Sequence, residues 1–269
     1  MGKKLQICLW IIIALAAFML LGGLVYNLAR AVNEDVIHPE VTFEIENLGT
    51  VKMELYQEYA PNTVANIIKL VEKGYYTNKV LYGKDELVLY MGVTSEGKEE
   101  IPTASFVNPD IALDSEEDFE YSIPGEFASN GFEQNTLCHE KGVVTIVRQN
   151  YGMSSLLEQS YNSGVSKIGV IMQDAAASLN GNYAAFGKIT EGLELLENAY
   201  KNEAIVEPEV NEETGEPVET TVDEFLNKFV IKSATVDTHG IDMGIPEMVE
   251  YFNYDEYIYL MFNTQYGGE

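Results

Sequence analysis

A mainly β domain, an antiparallel barrel or sandwich carrying two helices, is predicted by three observations. Apolar runs of strand length recur along the chain, and two segments carry helical apolar spacing. Strands and helices do not alternate regularly as in a doubly wound sheet.

The elements follow in order. Val41, Phe43 and Ile45, then Val51, Met53 and Leu55, alternate with polar residues about Leu48-Gly49, which predicts a β-hairpin. Pro61 opens a helix whose apolar face is Val64, Ile67, Ile68 and Val71, and Gly74 is placed to end it. Strands are predicted over Leu87–Val93, Val143–Val147, Ile168–Met172, Ala184–Ile189 and Phe229–Val236. A second helix is predicted from Glu191 to Tyr200 on the spacing of Leu193, Leu196 and Tyr200. Residues 203–224, acidic and containing prolines, read as an exposed loop without the ligand spacing of an EF-hand. The aromatic C-terminal extension, 246–269, is expected to pack on its own domain.

Ahead of these elements, the run from Leu5 to Ala29 is almost wholly apolar. At about 1.5 Å per residue it is long enough to cross a hydrocarbon core of about 30 Å as a helix. Lys3 and Lys4 precede it and Glu34 and Asp35 follow, so the positive-inside bias puts the N-terminus in the cytoplasm. Residues 1–31 thus form a cytoplasmic stub and single-pass anchor, 32–40 a tether, and the rest lies outside the cytoplasm. Ala29-Arg30-Ala31 also fits a signal-peptidase site. The apolar run exceeds a signal core of about 7–15 residues, which favours an uncleaved anchor.

The formal net charge is -27, from 16 basic and 43 acidic residues. Such a surface repels phosphates and argues against nucleic-acid binding. Cys8 and Cys138 are too few for a disulfide framework, and Cys138 is expected to be a semi-buried packing residue. His38, His139 and His239 lack the spacing of a zinc site, so no metal site is expected.

Five blocks carry a family resemblance: residues 46–78 (ENLGTVKMELYQEYAPNTVANIIKLVEKGYYTN), 123–132 (IPGEFASNGF) with 139–148 (HEKGVVTIVR), 162–174 (NSGVSKIGVIMQD), 179–200 (LNGNYAAFGKITEGLELLENAY) and 230–240 (VIKSATVDTHG). In order and spacing they resemble the bacterial cyclophilin-type peptidyl-prolyl isomerases. The resemblance implies a cyclophilin-like domain over 41–245, an eight-stranded antiparallel β-barrel with two capping helices. It also implies isomerisation of Xaa-Pro bonds without a cofactor. That reaction crosses a barrier of roughly 18–20 kcal/mol set by amide resonance. The family seats the proline ring in an apolar pocket and points an arginine at the prolyl nitrogen, which favours the twisted state.

At the positions this resemblance assigns to the site, the sequence departs from the family. The arginine position is Gly83, with Lys84 the nearest cation and the candidate substitute. The peptide groove implied by the resemblance is Leu87, Val88, Tyr90, Val147, Lys167, Gly169, Leu179 and Tyr183. Within it, Tyr90 and Lys167 stand where the family has glutamines, and Gly169 replaces a phenylalanine of the pocket wall. Lysine presents a point charge rather than the planar donor fork of arginine. The expected function is that of a membrane-anchored cyclophilin-like protein acting on Xaa-Pro segments of exported chains, with reduced catalysis. The alternative is a non-catalytic peptide-binding, chaperone or envelope-scaffold module.

Overall fold

The computed structural model describes residues 36–201 and 222–266. The chain divides into Met1–Ile37 and His38–Glu269, and every strand and helix among the described residues lies in the second unit. The Leu5–Ala29 segment expected to anchor the protein falls outside the described residues, as does most of the acidic segment. Among the described residues no helix is long and apolar enough to cross a membrane.

The hairpin forms where the alternation puts it. Strands β1 (Glu40–Ile45) and β2 (Gly49–Leu55) pair with Val41 opposite Met53 and Phe43 opposite Val51. These four side chains, with Ile45 and Leu55, are buried. The turn between the strands needs positive φ at Asn47 (61°) and Gly49 (114°), which asparagine and glycine tolerate.

Helix α1 (Pro61–Glu72) buries Val64, Ile67, Ile68, Leu70 and Val71. Its first backbone N–H groups have no helical partner. The Glu126 carboxylate, distant in sequence, accepts from Asn62 N–H at 2.9 Å and Thr63 N–H at 2.7 Å.

The remaining strands are β3 (Val80–Lys84), β4 (Val88–Val93), β5 (Tyr121–Ser122), β6 (Val143–Ile146), β7 (Ile168–Ile171), β8 (Ala185–Glu191), β9 (Ile231–Asp237) and β10 (Val249–Glu250). Eight of them form one antiparallel sheet in the order β3-β4-β7-β6-β8-β2-β1-β9. The sheet curls until its end strands meet at the Val80–Val230 bridge, flanked by bonds from Asn78 N–H to Ile231 O and from Ile231 N–H to Lys79 O, both 2.8 Å. The expected eight strands are present, and a single bridge rather than a full ladder joins the ends.

Between α1 and the C-terminal extension the described residues form α2 (Ala104–Val107), α3 (Leu157–Tyr161), α4 (Ala176–Leu179), α5 (Leu193–Tyr200) and α6 (Val222–Leu226). The two helices expected from apolar spacing, α1 and α5, share one core with the sheet: Ile67 and Leu196 join Phe43, Leu55, Phe186 and Phe229. The loop expected over 203–224 ends early, because residues 222–224 begin α6, which buried Leu226 pins to the core.

The C-terminal extension packs on its own domain at its start. Strand β10 pairs with β5, Tyr251 N–H donates to Glu120 O at 2.8 Å, and Tyr254 stacks on Tyr151 at 4.8 Å between centroids. The extension then forms α7 (Tyr254–Tyr266), on which Tyr259, Leu260, Met261 and Phe262 are exposed. Cys138, expected to be semi-buried, is exposed.

Candidate functional site

Side chains on a strand alternate between faces, and the central strands here are apolar on both. On β4, Leu89 and Met91 enter the main core, while Val88 and Tyr90 face a second, smaller cluster. On β6, Val144 and Ile146 point inward and Val143 belongs to the second cluster; on β8, Phe186 points inward and Ala185 outward. The continuous apolar runs in the sequence reflect a sheet covered on both sides.

One row crosses that outer face beneath a cleft, which two of its members, Tyr90 and Thr145, line. Tyr90 on β4 is the register partner of Gly169 on β7, Gly169 of Thr145 on β6, and Thr145 of Ala185 on β8. A bulky ring at one end gives way to three small residues. The cleft above this row has a volume of about 180 Å³. Asp85, Leu87, Val88 and Tyr90 line it from β4 and the turn before it. Thr145, Val147 and Arg148 line it from β6 and beyond, and Leu179 and Tyr183 from α4 and the residues after it. Pockets that enclose a whole small-molecule ligand hold roughly 300–1,000 Å³, so this one suits a single small apolar group.

Six of the eight groove residues expected from the sequence therefore line one cleft. Gly169 lies under it: a Cβ added there would stand 2.9 Å from Val88 Cγ1 and 3.3 Å from both Thr145 Cγ2 and Val147 Cγ2. Lys167 flanks it, with Nζ 5.0 Å from the centre of the Tyr90 ring. Tyr90 is fixed at its far end, where its hydroxyl donates to Asp85 Oδ2. Burial, and then that bond to a carboxylate, raise its pKa well above the ordinary phenol range. The other oxygen of Asp85 accepts from Leu87 N–H and Val88 N–H, both 2.8 Å, and so holds the turn that starts β4.

Gly83, expected from the sequence resemblance to stand at the family arginine position, is next to this wall. A Cβ there would lie 3.9 Å from Tyr90 Cδ2. Its φ of +75° places it in an irregular stretch of the β3–β4 pairing, a conformation that penalises any side chain. Lys84 is not among the residues lining the cleft. Its Nζ donates to Tyr200 O at the end of α5 and sits 5.0 Å from the Tyr200 ring centre, a favourable place for a cation.

Sequence reasoning missed Arg148. Its Nε–H donates to Asn182 O at 3.0 Å and Nη1 donates to Gln149 O at 3.1 Å. The guanidinium carbon lies 4.5 Å from the ring centre of Tyr183, 5.1 Å from that of Tyr161 and 5.4 Å from that of Phe127. Arg30 and Arg148 are the two arginines of the sequence. A lone arginine directly after the Ile146-Val147 pair, in so acidic a chain, was the available signal.

His139 was likewise read as isolated, yet it braces the cleft. Asn180 Oδ1 accepts from His139 N–H at 2.9 Å and lies 2.9 Å from Nδ1, so Nδ1 carries the proton. Nε2 is 3.2 Å from the Thr145 hydroxyl. The ring thereby ties the end of α4 to the cleft floor, and burial lowers its pKa.

A curled antiparallel sheet with helices packed on its core and a one-residue apolar cleft on its outer face is the class of protein that these features define. Residues 40–225 match the model of the family described as cyclophilin type peptidyl-prolyl cis-trans isomerase/CLD, and the chain belongs to that family. Peptidyl-prolyl cis-trans isomerase B of Bacillus subtilis is 26% identical over 168 residues, 62% of this chain and 95% of that protein. A cyclophilin-type isomerase of Cryptosporidium parvum superposes with a TM-score of 0.47 at 17% identity, over 75% of this chain and 98% of that one. The same protein, crystallised in the presence of the dipeptide Ala-Pro, gives 0.46 at 17% identity, over 74% and 98%.

Proposed function

We propose that this protein binds Xaa-Pro segments of exported polypeptides, with the proline ring on the Gly169–Thr145–Ala185 floor, and turns them over slowly or not at all. The observation that carries the reading is the coexistence of two features. The apolar cleft is intact in outline, and the position aligned with the family arginine is a glycine at φ +75°. Burying a proline ring against Val88, Val147 and Leu179 removes apolar surface from water, at roughly 25 cal/mol per Å². Hydrogen-bonding the prolyl nitrogen needs a donor that Gly83 does not supply. The backbone at Gly83 favours a binding module over an efficient isomerase.

In this proposal the Leu5–Ala29 run holds the domain at the outer face of a bacterial membrane. Its length and the lysines before it support the placement. Protease added to intact spheroplasts is expected to remove the domain; protection of the domain argues against it.

The binding reading is tested by titrating an Ala-Pro-containing tetrapeptide into the isotopically labelled chain. Resonances of Val88, Thr145, Val147 and Leu179 are expected to shift together. Shifts elsewhere, with these unmoved, refute the assignment.

A further inference from the structure

We infer that Arg148 makes the cleft selective for prolines flanked by an acidic residue, a deepening that rests on the peptide-binding reading above. Arg148 lines the apolar cleft and also the small hollow beside it, where Ile123, Phe127 and Tyr161 lie. The guanidinium therefore stands between the cleft and the hollow, within reach of a residue beside a seated proline. The group is held rather than mobile, between two backbone carbonyls and against the rings of Tyr183, Tyr161 and Phe127. A guanidinium has five N–H donors, and those two bonds leave donors to spare.

The charge balance of the molecule sharpens the point. The sequence carries 43 acidic residues, and lysines elsewhere, Lys52, Lys141 and Lys232 among them, pair with carboxylates. Arg148 donates to backbone carbonyls and stacks on rings, and among the described residues no carboxylate pairs with it. Lys167, across the floor, places a second cation over the Tyr90 ring. A planar guanidinium matches a carboxylate in a two-bond geometry that a lysine does not reproduce. Elsewhere a surface of net charge -27 repels an acidic peptide.

The test uses the full chain and tetrapeptides that differ only beside the proline: Glu-Pro, Pro-Glu, Ala-Pro and Lys-Pro. Either the Glu-Pro or the Pro-Glu peptide is expected to bind about tenfold tighter than Ala-Pro, with Lys-Pro weakest. That preference should shrink with added salt and disappear in folded Arg148→Gln. Equal binding of all four peptides to the unmodified chain, or a preference for Lys-Pro, overturns the inference and leaves the binding reading standing. So does an acidic preference that survives in folded Arg148→Gln. Binding of none of the four overturns the binding reading itself, and the inference with it.

Discussion

Tyr90 and Gly169 face each other across the β4–β7 ladder, a bulky ring opposite no side chain at all. The two share a register position, but the room that a side chain at Gly169 would need is taken by Val88, Thr145 and Val147. The glycine, read in sequence as a lost pocket wall, lies in the same cross-strand row as Tyr90, which lines the cleft.

Substituting Gly169→Phe alone is expected to destabilise the domain by about 2–3 kcal/mol, since overpacking forces neighbours off their rotamers. Tyr90→Ala alone should cost about 2 kcal/mol through the space it leaves. The double substitution should be less damaging than the sum, a coupling of about 1 kcal/mol or more. Urea unfolding of the four proteins measures it, and strict additivity contradicts coupling across the register pair.

Placing a side chain at Gly83 should not restore the family's chemistry. With φ at +75°, Gly83→Arg is expected to lose roughly 1–2 kcal/mol of stability from left-handed strain. A stable Gly83→Arg protein with fast turnover would show that the backbone readily adopts the family's conformation.

The cap on α1 is a long-range one and correspondingly sensitive. Glu126→Ala leaves the N–H groups of Asn62 and Thr63 without their acceptor, and should cost about 2 kcal/mol. Glu126→Gln, which keeps one acceptor oxygen, should cost less. Thermal melting distinguishes the three proteins, and an unchanged midpoint for Glu126→Ala counts against the cap.

His139 gives the stability a pH dependence. Burial lowers its pKa in the fold, whereas in the unfolded chain it titrates near about 6.5. The unfolded state then binds more protons in the window below about 6.5, so stability falls as the pH drops through it. Between pH 7.5 and 5.5 the wild type should lose more stability than His139→Gln. Parallel losses in the two proteins would remove His139 as the cause.

The hairpin, both core helices and the long central strands were legible because their apolar residues repeat at strand or helix period. Strand β3 was not: Gly83 breaks its pattern, and only the partner strand shows why the chain continues through it. Strands β5 and β10 are two residues long, too short for any period. Six cleft residues were identified by alignment to a family pattern. That same pattern hid Arg148, which ends the matching block 139–148 at a position to which the resemblance assigns no role. His139 was invisible because its partners, Asn180 and Thr145, come together only in the fold.

The central claim is a cleft that seats proline without the donor needed for rapid isomerisation. Its most direct test is the cis–trans exchange rate of an Ala-Pro peptide, measured by NMR with and without the full chain, beside the Bacillus subtilis isomerase as reference. Loss of a positioned donor costs about 10²–10³ in rate, so exchange is expected to be slower than the reference by about that factor while the peptide still binds. Acceleration within about tenfold of the reference contradicts the claim, and its disappearance in Arg148→Gln would assign the missing donor to Arg148.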